Sequence, residues 1–200
     1  MQIFITGTDT NVGKTLISSW ICLHTGYSYF KPIQTGADKD SDVVSKLANS
    51  NIYEESYIYK SPLSPHLAAS LENDSIDISR INLPKERNLI VEGAGGILVP
   101  INETTFMVDL IKKLNIPVIL VARSTLGTIN HTLLSLEALR ARSVSILGVI
   151  LNGPHNQDNI KAIEFYGKVE ILASIPKLQE VSKESLMQLP LPDCLKIIIK

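Results

Sequence analysis

The chain has 200 residues, 44% of them hydrophobic and 20% charged, with a formal net charge of −1 at pH 7. That composition fits one globular domain over residues 1–200, and the near-neutral balance gives no support for nucleic-acid or membrane-surface partners. No stretch approaches the roughly 18 apolar residues of a membrane span; Thr6–Lys14 interrupt any signal-peptide core, and Cys22 and Cys194 suggest no disulfide framework, so the cytosol is the expected compartment.

The first expected strand, Gln2–Thr6, runs into Gly7-Thr8-Asp9-Thr10-Asn11-Val12-Gly13-Lys14-Thr15 and then a helical pattern from Leu16. A strand, a glycine-bounded loop and Gly-Lys-Thr opening a helix form the context of a P-loop. Backbone N–H groups of such a loop converge on an anion, Lys14 adds charge toward terminal phosphates, and the Thr15 hydroxyl suits Mg²⁺. Five residues rather than the usual four separate Gly7 from Gly13-Lys14.

A second strand is expected over Tyr27–Lys31, closing on Lys31, either a surface lysine before a turn or a second cation beside Lys14. Asp42, after Asp38 and Asp40, begins a probable helix as a cap or a Mg²⁺ ligand. Residues 61–80 read as irregular, with one short helix near His66–Leu71. Asn88–Glu92 is the next strand. Glu92 ends it before Gly93-Ala94-Gly95-Gly96, where a metal-holding carboxylate is expected.

A weaker helix over Phe106–Leu114 leads to the strand Pro117–Ala122, whose Val118-Ile119-Leu120-Val121 lacks polar alternation, as in a parallel strand covered on both faces. Ile129, Leu133, Leu136 and Leu139 mark one face of the following helix. Thr128 and Asn130 in its first turn serve as caps or help its free N–H groups bind a carboxylate. Strand Ser145–Leu151 ends at Asn152, a turn former or a reader of a base edge; the absence of Asn-Lys-x-Asp favours adenine. Helix Asn159–Gly167, strand Val169–Ser174 and a last short strand over Leu195–Lys200 complete the chain. The alternation predicts an α/β fold: a single doubly wound, mostly parallel sheet with helices on both faces, P-loop NTPase-like, with its ligands beyond the C-terminal strand ends.

Six blocks carry a family resemblance: Thr6–Thr15, Lys31-Pro32-Ile33-Gln34-Thr35-Gly36, Ser41-Asp42, Ser64-Pro65-His66, Val91-Glu92-Gly93-Ala94-Gly95-Gly96 and Leu126-Gly127-Thr128-Ile129-Asn130-His131. In this order they resemble the dethiobiotin synthetase family. The resemblance implies ATP- and Mg²⁺-dependent closure of a ureido ring on 7,8-diaminopelargonic acid with CO₂, through a carbamate and a carbamic–phosphoric anhydride. It implies Lys14 and Lys31 as catalytic; Asp9, Thr10, Asn11, Val12, Gly13, Lys14, Thr15, Asn152 and Pro176 for ATP; and Thr15, Asp42 and Glu92 for the metal. Thr10, Thr35, Gly127, Thr128 and Asn130 would bind substrate, in this family across a homodimer interface. The alternative is a P-loop ATPase switch that binds protein partners. Such proteins commonly carry an extra lysine early in the loop, where Thr8 and Asp9 stand here.

Overall fold

The computed structural model describes residues 1–199. Among the described residues nine strands form: β1 (Gln2–Gly7), β2 (Ser28–Phe30), β3 (Ile33–Thr35), β4 (Ile52–Tyr53), β5 (Tyr57–Tyr59), β6 (Leu89–Gly96), β7 (Val118–Arg123), β8 (Ile146–Asn152) and β9 (Ile171–Ile175). The helices are α1 (Lys14–Thr25), α2 (Asp40–Ala48), α3 (Pro65–Leu71), α4 (Met107–Leu114), α5 (Thr128–Ala141), α6 (Gln157–Gly167), α7 (Lys183–Met187) and α8 (Asp193–Ile199). Seven strands make one sheet in the order β4-β2-β6-β1-β7-β8-β9, and every neighbouring pair is parallel. The short pair β3-β5 is also parallel and stands apart from it.

Parallel strands need crossovers, and the crossover helices cover both faces. The alternation of side chains along β1 shows how. Phe4 joins Val91, Leu120 and Leu151 in a layer with Val108 and Ile111 of α4, Leu136 and Leu139 of α5 and Ile163 of α6. Ile3 and Ile5 face the other way, joining Ile90, Val121 and Ile150 against Ile17, Trp20 and Ile21 of α1 and Val44 and Leu47 of α2. The continuous apolar reading of Val118–Val121 therefore has its cause: all four residues are fully buried, two in each layer. No described helix is long and apolar enough to cross a membrane.

Two expectations are corrected. Residues Asp193–Ile199 form helix α8, not a strand; residue 200 lies outside the described residues. The isoleucine run favours a strand locally, but Leu195 and Ile199, four apart, bury one helical face in the α1 layer. Strand β6 does not stop at Glu92 but continues to Gly96, with Gly96 paired to Gly7 across a register shift in β1. Glycine at both positions lets the two backbones run close where the P-loop begins. At Gly96 a Cβ would lie 3.3 Å from the Thr8 carbonyl oxygen.

The sole tryptophan, Trp20, fastens α1 to the C-terminal segment: its indole N–H donates to the Leu189 carbonyl oxygen at 2.7 Å and its ring is buried. Trp20→Ala should lower the free energy of unfolding by about 3–5 kcal/mol in urea titrations followed by circular dichroism. A change below about 1 kcal/mol would mean the C-terminal segment is not fastened through this residue.

Candidate active site

The loop between β1 and α1 is shaped by its backbone. Asn11 and Gly13 both adopt left-handed conformations, with φ of 58° and 101°. Gly13 is required there twice over: its φ disfavours a side chain, and a Cβ would sit 2.1 Å from the Asn152 amide nitrogen. No side chain caps α1, and no acid stands in its first turn. Its leading N–H groups and the positive end of its dipole therefore face the loop unopposed, as an anion site needs.

Lys14 is the first residue of α1, and in this structure its Nζ donates to the Asp9 carbonyl oxygen at 3.0 Å. Its pKa is lowered to about 8, chiefly by burial and also by nearby Lys31, against the pull of Glu92, Asp40 and Asp9. Lys31 follows β2 and is only 3% exposed. Burial alone would depress its pKa as well, but Glu92 and Asp40 outweigh burial and hold it above the usual lysine value. Its Nζ forms ion pairs with Asp40 Oδ2 and, at 3.3 Å, with Glu92 Oε1. Two lysines in one cleft thus differ in compensation: Lys31 is held by two carboxylates, while Lys14 has only a carbonyl.

Thr15 Oγ1 lies 2.9 Å from Asp40 Oδ1 and 2.8 Å from Glu92 Oε1. A hydroxyl has one proton, so it satisfies only one of these two carboxylates at a time. Two carboxylates and a hydroxyl converging in this way make a hard, oxygen-only donor set suited to Mg²⁺, which takes one or two carboxylates and fills its remaining positions with phosphate oxygens and water. Among the described residues, no group of three or more His, Cys, Asp or Glu side chains gathers to hold a softer or fully caged ion.

Asp40, not Asp42, is therefore the second carboxylate of this cluster. Helix α2 buries Ser41, Val44 and Leu47 and leaves Asp42 exposed. Asp42 lies about 200° around the helix from Asp40, so only one of them can face Thr15. Gln34, buried in β3 and given no role of its own by the motif it stands in, fixes the approach. Its amide nitrogen donates to the Thr35 and Asp38 carbonyl oxygens at 3.0 and 3.1 Å, and its Oε1 accepts from the Asp40 backbone at 3.3 Å. The 41/44/47 spacing of α2 was the available signal that Asp42 points outward.

These groups line a cleft of about 780 Å³, together with Thr10, Asn11, Gly13, Thr35 and the Pro62–Pro65 turn. Asp9 turns away: its carboxylate accepts from the Thr10 N–H at 2.7 Å and pairs with Arg123. Val12 contributes backbone only, since its side chain is in the α1 core layer. Its carbonyl accepts from the Asn152 amide at 3.0 Å, which ties the end of β8 to the loop. Pro176 follows β9 directly, and Ile175 is the register partner of Asn152, so Pro176 and Asn152 stand side by side at neighbouring strand ends.

Gly127, Thr128 and Asn130 are not brought to this cleft. Gly127, with φ of 90°, begins α5, Thr128 is buried and Asn130 is exposed. They neighbour a second groove of about 520 Å³ that includes Asp9, Leu98, His131 and Leu134. Thr128 Oγ1 and Ser124 Oγ are buried without a hydrogen-bond partner among the described residues.

A family model described as an AAA domain matches residues 1–185. The chain is 57% identical to an ATP-dependent dethiobiotin synthetase from Lawsonia intracellularis, over 98% of both chains. It is 46% identical to one from Neorickettsia sennetsu, covering 100% of this chain and 96% of that one. Among solved structures, the cell division ATPase MinD of Pyrococcus furiosus superposes with a TM-score of 0.60 over 94% of this chain and 87% of that chain, at 16% identity. That likeness shows the P-loop fold.

The Lys14 shift gives nucleotide binding a signed pH dependence. Above about pH 8 the free protein holds Lys14 largely neutral, whereas bound phosphate favours its charged form. Binding of ADP should therefore take up a proton at about pH 9, little at about pH 7, and weaken as the pH rises between them. Calorimetry in two buffers of different ionisation enthalpy should detect the uptake and lose it in Lys14→Met; equal heats at about pH 9 would mean Lys14 stays charged throughout.

Proposed function

The chain belongs to the family of ATP-dependent dethiobiotin synthetases, and from that premise we propose how its residues perform the reaction. The substrate is 7,8-diaminopelargonic acid. One amine takes up CO₂ as a carbamate with loss of a proton. A carbamate oxygen attacks the γ-phosphorus of ATP, and ADP leaves. The second amine then attacks the carbonyl carbon of the mixed anhydride, phosphate departs with the C–O bond, and the ureido ring closes. The chain does this as one domain, in the cytosol, in keeping with two free cysteines.

The observation that carries this reading is Lys31, a buried ammonium held between Asp40 and Glu92 at the edge of the P-loop cleft. Phosphoryl transfer needs positioning and cations more than a protein nucleophile. The α1 N-terminus and the loop N–H groups bind the phosphates. Lys14 exchanges the Asp9 carbonyl for a phosphate oxygen, and Lys31 stabilises the carbamate and the transferred group. Thr10 and Thr35 flank the diamine. Asn152, anchored through its amide nitrogen to Val12, has its carbonyl oxygen free to accept from the adenine amino group, with Pro176 against the base. Asp9, Asn11, Val12 and Gly13 act through the loop backbone.

Thr15, Glu92 and Asp40 would hold Mg²⁺, which supplies charge neutralisation at the phosphates. Asp40 takes the part expected of Asp42. The carboxylate of the substrate would be bound by Gly127, Thr128 and Asn130 of a second copy, in a homodimer. The unpartnered Thr128 hydroxyl and the exposed Leu98, Leu126 and Leu134 around that helix end support this arrangement. The protein-partner switch has no feature of the cleft in its favour.

Purified protein with ATP, Mg²⁺, bicarbonate and the diamine should form dethiobiotin and ADP only when all four are present. Lys31→Ala should cut turnover by about 10²-fold or more. ATP hydrolysis that ignores the diamine would overturn the reading.

Asp40→Asn should raise the Mg²⁺ requirement about 10-fold or more, and Asp42→Asn should leave it within about twofold; the reverse order would restore Asp42. Asn130→Ala should raise the KM of the diamine while that of ATP stays within about twofold. Equal changes in the two constants would count against a carboxylate site at α5.

A further inference from the structure

We propose that Ser18 and Tyr29 are positioning residues that clamp one oxygen of Glu92 and thereby decide which oxygen faces the cleft; this rests on reading Glu92 as a metal-holding carboxylate. Glu92 is 1% exposed and lies within β6, on the sheet face that also carries Ile90 and Tyr29. Its two oxygens meet different surroundings. Oε2 accepts from Ser18 Oγ at 2.7 Å and from Tyr29 OH at 3.0 Å, both from fully buried side chains. Oε1 meets Thr15 at 2.8 Å and Lys31 at 3.3 Å, the two partners that line the cleft.

Three segments impose this division. Ser18 stands three residues after Thr15 on α1, so both hydroxyls fall on the helical face that meets β6. Tyr29 comes from β2, the strand paired with β6, where it is registered opposite Ile90, two residues before Glu92. Its phenol is fully buried, and in its 3.0 Å contact with Oε2 the hydroxyl supplies the proton, so it is the donor. Two neutral donors on Oε2 stabilise the buried charge without neutralising it, so the carboxylate stays anionic with Oε1 turned to whatever cation enters. A carboxylate held by only one of them could rotate and exchange its oxygens. Neither clamp side chain is among those that line the cleft, and neither hydrogen-bonds the side chain of Lys14 or Asp40.

The test separates metal binding from catalysis. Mn²⁺ binding to the protein–ADP complex, followed by electron paramagnetic resonance, should weaken several-fold in Tyr29→Phe and in Ser18→Ala, and about 10- to 100-fold in the double variant. Metal-free ADP affinity should stay within about twofold in all three, and Ser18→Thr should regain most of the loss. If the double variant does not fold, the two single variants carry the comparison. Glu92→Gln is the reference. If it weakens Mn²⁺ strongly while the clamp variants bind normally, the clamp is overturned and the metal reading stands. If Glu92→Gln binds Mn²⁺ normally, the metal reading fails and the clamp fails with it. Parallel losses of Mn²⁺ and metal-free ADP in the clamp variants would mean general loosening of the core, which also overturns the proposal.

Discussion

A single carboxylate, that of Glu92, sits inside the sheet at the level where β1 ends, and the site is arranged around supplying partners to both of its oxygens there. An unpaired charge at that depth would cost several kcal/mol, and removing a partner from a buried pair typically costs about 3–5 kcal/mol. The compensation comes from four places in the chain: Thr15 and Ser18 on α1, Tyr29 on β2, Lys31 just beyond it and, through Lys31, Asp40 at the start of α2. None of these segments is adjacent to Glu92 in sequence. The parallel order β2-β6-β1 brings them together. The polar network and the fold therefore depend on one another.

The same cluster accounts for the different states of the two lysines. Lys31 is the more deeply buried, yet it is the one whose charge is reinforced, because it lies between two acids. Lys14 has its ammonium on a backbone carbonyl and is poorly compensated. A group in that condition gains more from an arriving phosphate than one already paired, and this is how binding energy is directed to the reacting end of a nucleotide. The P-loop backbone is fixed by contacts of its own, with Asn152 behind Val12 and Gly13 and Arg123 beside Asp9, so little of that gain goes into ordering the loop.

The P-loop cleft and the start of α5 are separate places in the chain. Residues from β1, β2, β6, α1 and α2 and the turns beside them line the cleft. The α5 N-terminus lacks a side-chain cap, and from His131 onward α5 lines a separate groove that also includes the exposed Leu98 and Leu134. A helix start and an apolar rim on one surface suit contact with a second copy presenting the same surface, because a two-fold contact uses the same patch on both sides.

The amino-acid sequence by itself determined the strand–loop–helix around Gly7–Thr15, the parallel sheet covered on both faces, and the position of Lys14, Lys31, Thr15 and Glu92 at the loop and strand ends that line one cleft. These were legible because their signals are local: glycine spacing, unbroken apolar runs, and polar residues at the ends of those runs. Only the tertiary structure decided between Asp40 and Asp42, since that choice depends on the rotational setting of α2 against the sheet. It also turned an isoleucine-rich tail into helix α8, where packing outweighed strand propensity. Ser18 and Tyr29 carried no local mark at all, and Gln34 only its place between Lys31 and Thr35. A serine in a helix, a tyrosine in a strand and a glutamine in a short strand acquire their roles only when a buried carboxylate or a bare loop backbone comes within hydrogen-bonding distance. Sequence spacing cannot report that distance, because it is set by how the separate elements pack.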